Sequence, residues 1–273
     1  MDSTYSRFGR RLLLMWMALV FAFLFLPILV VVIYSFNGGR NLYVWTEFDT
    51  FWYGYALSNP RVLNTLAVSL KAALINSVIA VALGVPAGIA LARRKGAWTG
   101  PFVILLFVIL GTPELVSAIG QMIWFDRIGL YDGLLRLAIG HSLFNIAVVA
   151  LIVRARAEGL NEQLEQAAGD LGAIPIRAFF GITLPLMFPA VLAGTLLSFT
   201  FSFDDVIISL FVQRPGTSTL PIHILSSFKP GLKGDVAAIV VITLAVSLVG
   251  IMTAALLLMR GERRRGSLGG LLE

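Results

Sequence analysis

No cysteine occurs among the 273 residues, which excludes disulfides, thiolate nucleophiles and Cys-ligated metals. Histidine is nearly as scarce: His141 and His223 are the only two, and no His-based metal-site spacing is present. Charged side chains make up 13% of the chain, too few for the surface of a water-soluble domain. The phosphate-cradling Gly-x-x-x-x-Gly-Lys-[Ser/Thr] loop is missing. No Ser-His-Asp set and no paired-carboxylate hydrolase pattern is visible. The chain therefore reads as something other than an enzyme, with no cofactor of its own. Short tandem repeats and low-complexity tracts are also absent.

What is present is apolar. Hydrophobic residues make up 58% of the chain, and they gather in runs of about 20, the length a helix needs to cross a bilayer core. The fold class is all-α: a polytopic membrane protein of about six transmembrane helices, near residues 12–36, 64–92, 101–125, 134–154, 187–212 and 236–259. One transmembrane domain is expected over 1–265, followed by a disordered tail at 266–273. The first run follows Arg7, Arg10 and Arg11. It is too long for a signal-peptide core and no cleavage site follows it, so it reads as an uncleaved first span with Pro27 inside. Asn64, Ser69, Lys71, Asn76 and Ser77 give the second span a polar side that suits protein contact. Its Gly84, Pro86 and Gly88 permit close approach or a bend. Gly111-Thr112-Pro113-Glu114 interrupts the third.

Basic residues orient these spans. Thirteen Lys and Arg lie on one side: Arg7, Arg10, Arg11, Arg93, Arg94, Lys95, Arg154, Arg156, Arg177, Arg260, Arg263, Arg264 and Arg265. Seven lie on the other: Arg40, Arg61, Arg127, Arg136, Arg214, Lys229 and Lys233. The richer side is expected in the cytoplasm, with both termini. The net charge of +6 follows from this placement, and nucleic acid is not implied. Outside, residues 37–63 hold Tyr43, Trp45, Phe48, Phe51, Trp52, Tyr53 and Tyr55, which suit an amphipathic segment at the interface.

The loop at 161–185 is polar and small-residue-rich among apolar neighbours. Asn161 suits a helix N-cap, and Glu162 and Glu165 lie near the positive end of the helix dipole. Leu164, Ala167, Ala168 and Leu171 recur at helical spacing. Gly172 can end that helix in a left-handed conformation, and Pro175 can start the next. Ile176, Phe179 and Phe180 add bulk. The expected result is two short helices meeting at a bend, a knob for a partner's groove; an amphipathic loop on the bilayer fits the same pattern. Two acidic points stand inside spans, Glu114 at the third span's break and Asp204-Asp205 late in the fifth. Carboxylates there need a cation, a wet cavity or the interface. The Asp pair also fits a helix cap or ion pairs with Lys71, Arg214 or Lys233. Glu114 also fits pairing with a neighbouring subunit.

These stretches resemble one family. Gln166-Ala167-Ala168, Gly172 and Ile182-Thr183-Leu184-Pro185 are similar to the coupling loop of ABC-importer permeases, with Gln166 in place of the usual Glu and Glu165 just before it. The run Leu197 to Val212, with Leu220-Pro221 after it, resembles permeases of spermidine/putrescine importers. Pro113-Glu114-Leu115-Val116 and the Gly140-His141 pair with Phe144 do so too. The resemblance implies the type I ABC importer permease fold with cytoplasmic coupling helices, in a bacterial inner membrane. It implies that Glu165, Gln166, Ala167, Ala168, Leu171, Gly172 and Phe179 meet an ATPase. It places Glu114, Asp204 and Asp205 on a polyamine path, where Trp124 and Phe203, with Phe199 and Phe201, offer faces to amines; packing or lipid contact fits these aromatics too, and His141 suits a structural hydrogen-bond role. Implied partners are a homologous permease, two ATPase subunits carrying ATP and magnesium, an extracytoplasmic polyamine-binding protein and the lipid bilayer. Open alternatives are an importer permease for an amino acid, opine, thiamine, iron or sugar, a secondary transporter or channel, and a membrane scaffold without transport.

Overall fold

The computed structural model describes residues 7–39, 44–94, 96–228 and 234–269, with positions 7, 8, 228, 251 and 254–269 described by their helical backbone only. Tyr43, Lys95, Lys229, Lys233 and the tail residues 270–273 lie outside the described residues. The helices are α1 (Arg7–Tyr34), α2 (Phe51–Ser58), α3 (Pro60–Arg93), α4 (Thr99–Gly111), α5 (Glu114–Arg127), α6 (Gly133–Glu158), α7 (Gln163–Asp170), α8 (Pro175–Ala178), α9 (Leu184–Phe203), α10 (Ile207–Val212), α11 (Leu220–Phe228) and α12 (Gly234–Gly269). A π-helical turn, Phe179–Thr183, joins α8 to α9. Among the described residues the extended structure amounts to one isolated antiparallel bridge, Asn37 to Phe48.

Four continuous stretches are long and apolar enough to span a bilayer: Gly9–Tyr34, Pro60–Arg93, Gly133–Glu158 and Pro175–Phe203. α4 and α5 together form a fifth, bent by 102° at its break. α12, apolar over Gly234–Gly250, stands where the sixth is expected. Three expectations need correction. The fifth span begins at Pro175 rather than 187 and breaks after Phe203 instead of running to 212. The second short helix of the 161–185 loop is therefore the first turn of that span. Gly266–Gly269 are helical, as the end of α12, rather than disordered.

The chain divides into two compact units. The first comprises residues 1–63 and 224–246. Its α1 runs through Pro27 as one helix, with apolar side chains exposed all round. The expected amphipathic segment after α1 is instead a folded turn, because buried Asn37 supplies the polar partners. Its Nδ2 donates to Val44 O at 2.8 Å, and its Oδ1 accepts from Thr46 N and Oγ1, each at 2.9 Å. Phe36 stacks on Phe48, and the Tyr53 hydroxyl meets Ser35 Oγ at 2.6 Å. The apolar residues of α2 are spread around the helix and do not gather on one side.

The second unit, residues 64–223 and 247–273, holds the main core. Here α3, α6 and α9 approach closely through small residues. A Cβ on Gly88 would lie 2.5 Å from Ala150 O, and one on Gly84 would lie 2.8 Å from Val149. Ala80, Val85, Val149, Val153, Ala157 and Met187 close this contact. Of the expected polar side of α3, Ser69, Asn76 and Ser77 are buried against protein, whereas Asn64 and Lys71 are exposed. Asn76 Nδ2 donates to Ser198 O at 2.9 Å, and Asn145 Nδ2 donates to Asn76 Oδ1 at 3.1 Å. Three helices are thus joined by side-chain amides in a medium that offers no water in exchange.

Candidate functional site

Two breaks in helices build the site. At the first, Pro113 lacks an N–H and disfavours helical backbone at the residue before it. Thr112 is accordingly extended (φ −69°, ψ 128°), α4 stops, and α5 starts again at Glu114. At the second, α9 ends at Asp204. Asp205 then turns its carboxylate to the backbone N–H of Ser209, 2.7 Å away, offering α10 a cap in place of a continued helix. Irregular backbone at membrane depth survives where it lines a cavity or is buried in protein.

Both breaks open on one cavity of about 730 Å³. Glu114, Ser117 and Gln121 line it from α5, His141, Phe144 and Asn145 from α6, and Thr200, Phe201, Asp204 and Asp205 from α9 and the break after it. Glu114 and Asp205, on different elements, both line it. His141 is buried and joins three elements: Nδ1 meets Ser202 Oγ at 2.7 Å, and Nε2 meets Ser209 Oγ at 3.0 Å and Asp205 Oδ1 at 3.2 Å. The structural role expected for His141 is its role here. Among the described residues no Lys or Arg forms an ion pair with Glu114, Asp204 or Asp205. The pairing of the Asp residues with Arg214 is not observed. Arg214 instead pairs with Asp126 and lies 5.5 Å from the centre of the Tyr131 ring.

The structure therefore lines one cavity with Glu114, Asp204 and Asp205, and of the four aromatics expected beside them only Phe201 is there. Trp124 is exposed, away from the cavity lining, and Phe203 is buried in a stack with Phe199. The aromatic wall is Phe144 and Phe201, edge to face at 5.8 Å. Sequence reading missed Gln121 and Asn145. Asn145 is four residues beyond His141 on α6, a helical spacing that assigns both to one side. It also missed the clasp beyond the cavity, where buried Arg136 donates to Asp126 Oδ1 at 2.5 Å and to Val212 O at 2.9 Å. This clasp joins the ends of α5 and α10 to the start of α6.

The α7–α8 turn is the second element of interest. The N-cap of α7 is Glu162 rather than the expected Asn161, and Asn161 Oδ1 instead accepts from Gln163 N at 2.9 Å in a local turn just before the helix. Gly172 has φ +84° and closes α7 through Ala173 N to Ala168 O at 2.9 Å, and Pro175 opens α8. Gln166, Ala167 and Leu171 are exposed, Leu171 at 89%, while Ala168 and Phe179 are half-buried. Glu165 differs from its neighbours. Its carboxylate turns inward to Arg93 at the end of α3 and to Thr183 Oγ1 in the π-helical turn. It is a positioning residue for α7 within this chain.

The family model of binding-protein-dependent transport system inner membrane components matches residues 84–264. The chain is 35% identical over 254 residues to the putrescine transport system permease protein PotI of Escherichia coli K12, covering 90% of each. It is also 35% identical over 262 residues to the spermidine/putrescine transport system permease protein PotC of the same strain, covering 96% of this chain and 98% of the relative. Among solved structures, a chain of a bacterial ABC transporter involved in import of the acidic polysaccharide alginate superposes with a TM-score of 0.71 at 18% identity. That match covers 95% of this chain and 99% of the other.

Proposed function

The chain belongs to the inner-membrane components of binding-protein-dependent transport systems, the permease subunits of ABC importers, and on that premise we propose that it carries polyamines. The observation that supports this cargo is the cavity: three carboxylates without a Lys or Arg partner among the described residues, a phenylalanine pair and two helix breaks. A polyamine is a flexible polycation near neutral pH. Desolvated carboxylates require compensating charge, and an alkylammonium supplies it. Its methylene segments suit the apolar wall, and its cationic ends suit the faces of Phe144 and Phe201. The permeases PotI and PotC, named for putrescine and spermidine, support the same reading.

In this reading the chain forms one transmembrane domain over 1–265 with both termini in the cytoplasm, and pairs with a second permease. Two ATPase subunits bind ATP and magnesium and dock on the α7–α8 turn. A binding protein delivers cargo at the opposite side. ATP-driven movement of α8 passes directly into α9, because the π-helical turn makes them one continuous stretch. The test is uptake into cells or vesicles by the complete transporter. Glu114→Gln with Asp205→Asn is expected to lower polyamine uptake at least tenfold while assembly persists, since loss of partners for a desolvated charge costs about 3–5 kcal/mol. Wild-type uptake in that double variant would refute the cargo assignment.

A further inference from the structure

The cavity lining holds two further acceptors with no donor among the described residues. Asn145 is 2% exposed, lines the cavity, and uses its Nδ2 on Asn76 Oδ1 and Ser198 O. Those two bonds fix which end of the amide is nitrogen. Its buried Oδ1 accepts no hydrogen bond from the described residues, and the same holds for the buried Oε1 of Gln121 across the cavity. A buried amide oxygen without a donor is costly, more so where the bilayer supplies none. Two such oxygens on residues lining one cavity suit a donor-rich ligand.

Their positions can be read along α6. Gln121 Oε1 lies against Gly140, where a Cβ would approach it to 2.7 Å. Next along α6 is His141, which touches Asp205, and Glu114 lines the same cavity. Asn145 follows five residues after Gly140, about 7.5 Å further at the helical rise. Gln121 thus lies beside Gly140, Asp205 beside His141, and Asn145 about one helical turn beyond His141 on α6. We propose that the orphan oxygens of Gln121 and Asn145 bind ammonium groups of a linear polyamine, another of whose amines sits at the carboxylates. They would make the cavity selective for cargo with more than one amine. An ammonium brings three donors and no acceptor, which is the complement these oxygens lack. This inference rests on the polyamine reading above and adds the residues that count the amines.

The test is equilibrium binding of radiolabelled spermidine, a triamine, and of butylamine, a monoamine, to the complete transporter in nanodiscs without its binding protein. Asn145→Leu and Gln121→Leu are each expected to weaken spermidine about tenfold, the worth of a hydrogen bond to a charged group, with a smaller effect on butylamine. Gln121→Glu should tighten spermidine more than butylamine. Asn145→Leu also removes bonds to Asn76 and Ser198, so size exclusion monitors its assembly. Gln121→Leu and Gln121→Glu decide the matter if it fails to assemble. Wild-type spermidine binding in the Leu variants, alongside weakened binding in Glu114→Gln/Asp205→Asn, would overturn this inference and leave the polyamine function standing. Spermidine binding unchanged in that carboxylate variant as well would overturn both.

Discussion

Single atoms decide the packing of α3 on α6. Gly88 lies so near Ala150 O that even a methyl group must displace backbone, since its Cβ would come within 2.5 Å. Gly100, by contrast, has nothing within 4 Å of a built Cβ. Gly88→Ala should therefore destabilise the chain by about 1–3 kcal/mol through overpacking, despite the better helix propensity of Ala. Gly100→Ala should be neutral or slightly stabilising. Heat-inactivation profiles of the purified assembly, read by size exclusion, compare the two. Equal profiles would mean that α3 and α6 give way more easily than their packing indicates. The same scale governs the carboxylates, where one Asp side chain both caps α10 and faces the cavity, so Asp205 serves structure and site together.

Among the elements, the α7–α8 turn depends on a backbone conformation more than on side-chain contacts. Gly172 has φ +84° and open space around its missing Cβ. A substitution there strains the backbone without creating a clash, and the strain depends on residue type. Gly172→Val should distort the end of α7 and uncouple substrate-stimulated ATP hydrolysis in the assembled transporter. Gly172→Asn, which tolerates the left-handed region, should retain most of it. Stimulated hydrolysis at wild-type level in Gly172→Val, with normal subunit assembly, would remove the turn from the coupling route. Glu165 holds α7 in place: its bonds to Arg93 and Thr183 tie the helix to the end of α3 and to the foot of α9.

At the scale of the whole molecule the charge asymmetry makes a plain prediction. Thirteen basic residues flank one set of span ends and seven the other, and such a bias places the richer side in the cytoplasm. A periplasm-active reporter fused after Gly261 should be silent, and one inserted at Gly38-Gly39 should be active. The opposite pattern would invert the topology and move the α7–α8 turn away from any cytoplasmic ATPase.

Membrane class, the break at Pro113 and the bend and restart of the α7–α8 turn were legible in the sequence, whereas of the six expected spans four helices and one bent pair are long and apolar enough among the described residues. Each of the legible features depends on local physics: run length against bilayer thickness, the missing N–H of proline, the φ freedom of Gly172. Other features were decided by tertiary structure. The break after Phe203 follows from Asp205 capping α10 while held by His141 of α6. Phe203 turns into a stack and Phe201 into the cavity because the helix rotation of α9 is set by its neighbours. The inward turn of Glu165 needs Arg93, 72 residues away. Asn145 looks like an ordinary polar residue until Asn76 and Ser198 claim its nitrogen and leave its oxygen free. Pairings between distant segments depend on how helices rotate and pack, and short-range sequence patterns do not carry that information.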